Sequence, residues 1–71
     1  MKAGFDYSRL DPVFSGLVRP AQRALVNAGL FTLAALAKQR RADVAKLHGI
    51  GPTVLVKLDE ILRSAGLGFR D

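Results

Sequence analysis

The sequence predicts an all-α protein, a compact bundle of four or five short helices. No stretch of useful length alternates apolar and polar residues, as a half-buried strand would. Apolar residues instead recur three and four positions apart, in segments that begin at proline or threonine and end at glycine. Because the chain has 71 residues, of which 49% are hydrophobic, it has room for one small core only.

The N-terminal residues are predicted to form a separate segment. Residues 1–10 show no helical or strand period, and we interpret them as an extended arm that can dock through its aromatic side chains. Asp11 followed by Pro12 is typical of an N-cap and a first helical residue, which predicts one short turn. The predicted division is an arm over 1–16 and a helical domain over 17–71.

A first helix is predicted from Pro20 to the residue before Gly29. Its buried stripe consists mainly of small residues, which suggest that another helix crosses closely: Ala21, Ala24, Leu25 and Ala28. Three polar residues are expected on its solvent side: Gln22, Arg23 and Asn27. Thr32 is a favourable N-cap for a second helix. The buried stripe of that helix consists of Leu33, Leu36 and Ala37.

Two further helices complete the predicted bundle. A very short one covers 41–47, and we expect its first turn to fray because an arginine occupies the N-cap position. The last and longest covers 52–65, and its apolar face consists of Val54, Leu55, Leu58, Ile61, Leu62 and Ala65. Leu67 and Phe69, which follow it, are expected to fold back on the core.

The acidic residues of the last helix are interpreted as part of a solvated surface. Asp59 and Glu60 are adjacent and point about 100° apart, which makes them a poor acid–base pair. Asp59 lies four residues before Arg63, and this spacing predicts an ion pair of about 0.2–0.5 kcal/mol.

The segment 47–53, Leu-His-Gly-Ile-Gly-Pro-Thr, is the most specific signal in the chain. Ile50 is expected to be buried and to anchor a tight turn, in which Gly49 and Gly51 adopt a positive φ or allow close approach of another group. Backbone amides at the start of the following helix then face outward, where the helix dipole adds positive charge. Such a site suits a phosphate oxygen, and the hydroxyl of Thr53 adds one more donor. The alternative is a purely structural hairpin.

Positive charge is concentrated before and within this segment. The chain has 11 Lys+Arg against 6 Asp+Glu, a formal charge of +5. Residues 38–47 hold four of these cations and one acid, which is +3. Four basic residues are candidates to neutralise neighbouring phosphates: Arg19, Arg23, Lys46 and Lys57. The alternative for the charged run is an ordinary solvated face.

Composition argues against several classes of protein. The absence of cysteine excludes a disulfide framework and a thiolate metal site, and His48 alone cannot form a transition-metal site. The longest apolar run is far below the roughly 20 residues that span a bilayer, and charged residues interrupt the start of the chain, where a signal peptide needs an apolar block. We therefore expect a cytoplasmic protein that is not an enzyme and has no cofactor or metal.

The pattern Leu-x-Gly-Ile-Gly-Pro before an apolar helix resembles the helix-hairpin-helix motif of DNA-binding proteins. The similarity extends over about 17–69 to the C-terminal domain of the bacterial RNA polymerase alpha subunit, and more closely to small stand-alone bacterial proteins built on that domain. The stretches that carry it are 19–33, Leu36, 46–52 and the closing Ala-Gly-Leu-Gly-Phe of 65–69.

This resemblance implies a SAM-domain-like helical fold that binds the DNA backbone, often in the minor groove. It implies contacts from the start of the first core helix and from the hairpin, whose glycine corresponds to Gly51. The first-helix arginine of the polymerase domain has no clean counterpart, since Pro20 falls there with Arg19 beside it. Arg23 stands where an asparagine is usual. The lysine and serine expected after the hairpin are replaced by Thr53 and Val54.

Two functional hypotheses follow. The first is a module that binds the phosphate backbone of double-stranded DNA with little or no sequence specificity, in transcription or DNA maintenance at the nucleoid. It would act as a monomer or weak dimer, with a Kd on the order of 10⁻⁴ to 10⁻⁶ M. Its predicted DNA-binding residues are Arg19, Arg23, Lys46, His48, Gly49, Ile50, Gly51, Thr53 and Lys57.

The second hypothesis is a protein-interaction adaptor on the same fold, which docks on a transcription or repair complex. A bare apolar patch would favour it, formed either by the arm residues Phe5, Tyr7 and Phe14 or by Phe31. Convergence of the basic residues on the hairpin would favour DNA.

Overall fold

A computed structural model describes residues 7–70, and all regular structure within this range is helical. Two 3-10 turns precede four α-helices, in agreement with the predicted class and number of helices. The turns are Tyr7–Arg9 and Pro12–Phe14. The helices are α1 (Arg19–Asn27), α2 (Leu33–Ala37), α3 (Arg41–Ala45) and α4 (Pro52–Ser64). Phe5 and the rest of the predicted arm before Tyr7 lie outside the described residues.

One hydrophobic core receives side chains from all four helices and from the segment before α1. The largest side chains with almost no exposed surface are Phe14, Leu25, Leu36, Leu58, Leu62 and Val44. Burying a side chain of this size contributes about 1.5–3 kcal/mol. Leu10 and Leu17 complete the contribution of the N-terminal segment. Within the described range, the predicted arm and the predicted helical domain therefore share one core.

The N-terminal segment is folded locally as two turns. The expectation of an extended arm is wrong at Tyr7–Arg9, which form a 3-10 turn. The predicted cap at Asp11 is confirmed, since its Oδ1 accepts a hydrogen bond from the amide of Val13 at 3.0 Å. The Asp11 amide also donates to the carbonyl of Phe31 at 2.8 Å, and this bond ties the segment to the loop after α1.

Helix α1 begins at Arg19, one residue before the predicted start, and two of its side chains differ from expectation. Gln22, expected in solvent, is buried, and its Nε2 donates to the carbonyls of Leu17 at 2.7 Å and Ser15 at 3.2 Å. These two bonds satisfy both donors of the amide nitrogen, so its burial carries little free-energy penalty. Ala28, expected in the buried stripe, is the exposed C-cap residue.

Both short helices start as predicted. Thr32 caps α2, because its Oγ1 accepts from the amide of Ala35 at 3.1 Å. Helix α3 starts at Arg41 after the N-cap Arg40, which offers no acceptor to the first amides, and it ends at Ala45, two residues before the predicted end.

Helix α4 matches its predicted range to within one residue, but the segment that follows it packs on the core only in part. Phe69 packs partly buried against the core as predicted, whereas Leu67 is 43% exposed, contrary to expectation.

Asp59 of α4 forms an ion pair across the fold with Arg41 of α3, whereas the sequence predicted a solvated acid paired with Arg63. Three hydrogen bonds of 2.8 to 3.1 Å connect the two side chains and join α3 to α4. A two-pronged guanidinium–carboxylate pair is stronger than a single exposed pair along one helix.

Candidate functional site

The turn between α3 and α4 packs directly on the start of α1 through Gly49. Gly49 has a φ of +102°, as predicted for this glycine. A Cβ there would collide with the carbonyl oxygen of Pro20 and lie 3.0 Å from its carbonyl carbon and 3.5 Å from Cβ of Ala24. Of the small residues of α1, Ala24 therefore lies against this turn, whereas the sequence suggested a crossing helix.

Ile50 anchors the turn as predicted. Its side chain is buried, and its amide donates to the carbonyl of Leu47 at 3.1 Å. The turn after α1 is built in the same way, since Gly29 has a φ of +73° and is followed by the buried Leu30. Each turn thus combines a left-handed glycine with an apolar residue inserted into the core.

Gly51 differs from Gly49, because the positive φ, one of the two alternatives predicted for both glycines, is not found at this position. Its φ is −95° and its ψ is 179°, which is extended backbone. No atom of the described residues lies within 4 Å of a Cβ built on it. The fold therefore does not require glycine here, and the absent side chain leaves open space in front of α4.

The first turn of α4 presents unpaired amide groups to this space. Gly51 is the N-cap, and the first backbone bond of the helix runs from the Leu55 amide to the Gly51 carbonyl at 2.9 Å. Within residues 7–70, the amides of Thr53 and Val54 have no acceptor. Because α4 has 13 residues, its dipole adds partial positive charge at this end. The arrangement matches what an anion requires.

A groove of about 500 Å³ lies between α1 and the turn before α4, beside the contact of Gly49 with Pro20. It is lined by Arg19, Pro20, Arg23, Ala24, Asn27, His48 and Gly49. Four predicted site residues therefore meet in one place: Arg19, Arg23, His48 and Gly49. Asn27 was missed, although it continues the four-residue spacing of the two arginines along α1.

Arg19 lines this groove, and its guanidinium has two neighbours that line a second hollow with it. Its Cζ lies 4.3 Å from the centre of the Tyr7 ring, and its Nη1 lies 3.5 Å from Oε1 of Gln22. Neither neighbour was predicted as a site residue. Tyr7 is twelve residues away in sequence, and nothing in the local pattern links it to Arg19.

The other predicted site residues lie outside the groove. Lys57 lines a separate hollow of about 260 Å³ between the second 3-10 turn and α4, together with Glu60. Lys46 is the exposed C-cap residue of α3. Thr53 is exposed in the first turn of α4. Ile50 is buried and acts through the turn that it anchors.

One cation of the basic run, Arg41, forms an ion pair with Asp59. Hydrogen bonding to Asp59 raises the pKa of Arg41 above its usual value; desolvation opposes this rise, and the negative charge of Asp59 adds to it. The charge of Arg41 is largely compensated by that carboxylate. The exposed Lys38, Arg40 and Lys46 carry the remaining positive charge of the run, next to Asp43.

Across 7–70, the structure holds no group of three His, Cys, Asp or Glu residues that could bind a metal ion. Within the same range, each helix is too short or too polar to span a bilayer. Comparison of the chain with protein-family models, curated proteins and solved structures gave no match. What the protein binds is therefore inferred from the geometry of the site.

Proposed function

We propose that this protein binds the phosphate backbone of double-stranded DNA with little sequence specificity. The observation that supports the proposal is the shared groove, in which Arg19 and Arg23 of α1 face His48 and Gly49 of the turn. The open start of α4 follows only two residues later along the chain. The proposal treats these two cations and the unpaired amides of α4 as parts of one DNA-binding surface.

Each part of this surface has a distinct task in the proposal. The amides of Thr53 and Val54 hold one phosphate, aided by the α4 dipole and by the absence of a side chain on Gly51. Arg19 and Arg23 are separated by about 6 Å along the helix axis and contact neighbouring phosphates. Lys46 contributes from the periphery. A direct role of Lys57 is the least supported part, because its side chain lines a different hollow.

The proposal extends to the architecture of the site. We interpret α3, the turn and α4 as a helix-hairpin-helix motif in a SAM-domain-like bundle, similar to the C-terminal domain of the RNA polymerase alpha subunit. Support comes from the left-handed Gly49, the buried Ile50 and the N-cap position of Gly51. A protein of this kind would act at the bacterial nucleoid, in transcription or DNA maintenance.

The small size of the surface limits the expected affinity. About three to five phosphates can be neutralised, so the logarithm of the binding constant should fall with the logarithm of salt concentration with a slope of roughly −3 to −4.5. Binding by a monomer should be weak, and a second module or a dimer would raise affinity through avidity.

A salt titration of duplex DNA binding by the wild type and two Gly51 variants tests the proposal. Gly51→Asp places a carboxylate against the amides that would hold phosphate, whereas Gly51→Asn is a neutral side chain of the same size. Both residues are favourable N-caps, and the extended backbone at Gly51 accommodates them. Both variants should fold, and their thermal unfolding verifies this.

The aspartate variant should bind DNA about 10- to 100-fold more weakly than the asparagine variant, because both side chains cap the same amides but only the carboxylate repels phosphate. Wild-type binding should weaken steeply with salt. Binding that is insensitive to salt and equal in the two variants would contradict the proposal.

The protein-interaction alternative receives less support from the described residues. Phe14 is fully buried, and Tyr7 and Phe31 are each partly buried beneath an arginine side chain. Tyr7, Phe14 and Phe31 therefore do not form the bare apolar patch that would favour this alternative. Large exposed apolar side chains remain at four positions: Val13, Val18, Val56 and Leu67.

A further inference from the structure

We propose that Tyr7 is a positioning residue for Arg19, so that the N-terminal 3-10 turn is a working part of the DNA-binding surface. This inference rests on the proposed function. The observation behind it is that Arg19 lines the groove and at the same time stacks on the Tyr7 ring, with 4.3 Å between guanidinium carbon and ring centre.

Arg19 is held from a second direction by a side chain that is itself fixed. Gln22 is buried, and its Nε2 is bound to the carbonyls of Leu17 and Ser15. Because Nε2 is bound to these carbonyls, the other end of the amide, Oε1, faces the guanidinium of Arg19 and lies 3.5 Å from its Nη1. The ring and the amide oxygen together restrict a side chain that would otherwise sample many rotamers.

The turn that carries Tyr7 is attached to the body of the protein at more than one point. The guanidinium of Arg9 lies over the ring of Phe31 at 4.5 Å, and the Asp11 amide donates to the Phe31 carbonyl at 2.8 Å. Leu10, next to the turn, is buried in the core. Tyr7 therefore presents its ring from a fixed base, which a positioning role requires.

The consequence for binding is entropic. A free surface arginine loses rotamer freedom when it contacts a phosphate, and that loss reduces affinity. An arginine already stacked on a ring has lost part of this freedom before DNA arrives. The ring lies against the guanidinium and leaves the edge N–H groups that do not face Gln22 for phosphate oxygens.

The chain contains a matched control for this stack. Arg9 on Phe31 is the same kind of contact at nearly the same distance, yet neither residue lines the groove. Tyr7→Leu and Phe31→Leu each remove one ring from beneath one arginine. Any general effect of loosening the N-terminal turn should appear in both variants, whereas loss of Arg19 positioning should appear only in the first.

The test measures duplex DNA affinity of the full chain for Tyr7→Leu, Tyr7→Phe, Phe31→Leu, Arg19→Ala and the double variant Tyr7→Leu/Arg19→Ala, each verified to be folded by thermal unfolding. We expect Tyr7→Leu to weaken binding about two- to fivefold, the size of one exposed cation–π contact. Tyr7→Phe should recover most of this loss because it keeps the ring. Phe31→Leu should bind like the wild type, and the double variant should bind no more weakly than Arg19→Ala.

The inference would be overturned, and the proposed function left intact, by wild-type affinity in Tyr7→Leu or by a loss in the double variant equal to the product of the two single losses. Equal weakening in Tyr7→Leu and Phe31→Leu would also overturn it, since both effects would then reflect a loosened turn. A wild-type chain that does not bind duplex DNA would overturn the proposed function, and the inference with it.

Discussion

Gly49 and Pro20 are in such close contact that a side chain on Gly49 would collide with the Pro20 carbonyl oxygen. This contact brings the turn before α4 onto the first turn of α1, and it thereby creates the groove that both elements line. The glycine is needed for two separate reasons, its φ of +102° and the absence of a Cβ. Neither reason applies at Gly51, two residues later.

Three glycine-to-alanine variants separate these two requirements. Gly49→Ala should cost at least about 2–3 kcal/mol of unfolding free energy, because it combines an unfavourable φ with a backbone collision. Gly29→Ala, with positive φ and open space, should cost about 1 kcal/mol. Gly51→Ala should change stability by less than about 0.5 kcal/mol. Urea unfolding of the three variants measures these differences, and equal losses at all three positions would contradict the described turn.

The buried amide of Gln22 should contribute substantially to stability. Replacing Gln22 by Met preserves most of the side-chain volume but leaves the carbonyls of Leu17 and Ser15 without the donor they have now. We expect a loss of about 1–3 kcal/mol in chemical unfolding. Arg63→Met, at an exposed position of α4, is the control and should stay within about 0.5 kcal/mol. A Gln22 variant as stable as that control would show that the side chain is in solvent.

The pair between Arg41 and Asp59 should couple α3 to α4 measurably but weakly. A double-mutant cycle of Arg41→Ala and Asp59→Ala, followed by thermal unfolding, should give a favourable coupling that decreases as salt concentration rises. The same cycle for Asp59 and Arg63 should give a smaller coupling. A larger coupling for the pair within α4 would mean that the spacing along the helix, and not the contact across the fold, determines the partner of Asp59.

Local sequence signals predicted the helices well. Capping by Asp11 and Thr32, the insertion of Ile50 and the limits of α4 all follow from residues close together in the chain. These features depend on backbone preferences and helical spacing, which a short window of sequence contains.

Contacts between distant segments were not predictable in the same way. Gln22 is buried because the turn at 15–17 folds over it and offers two carbonyls, and helical periodicity cannot show that. Asp59 has a partner 18 residues away, and Tyr7 reaches Arg19 from a segment with no periodicity. The sequence also left open whether Gly51 has a positive φ or allows close approach of another group, and the structure excludes the positive φ. Sequence alone does not distinguish a glycine that the backbone requires from one that leaves space for a ligand.

The most direct test of the central claim is to map DNA contact onto the folded chain. Amide resonances of the ¹⁵N-labelled protein should be recorded by NMR as a short duplex DNA is added at low salt. The largest shifts should fall on His48, Gly49, Gly51, Thr53 and Val54, together with Arg19 and Arg23 of α1, and high salt should reverse them. Absence of shifts, or shifts confined to α2 or to the hollow beside Lys57, would contradict the claim.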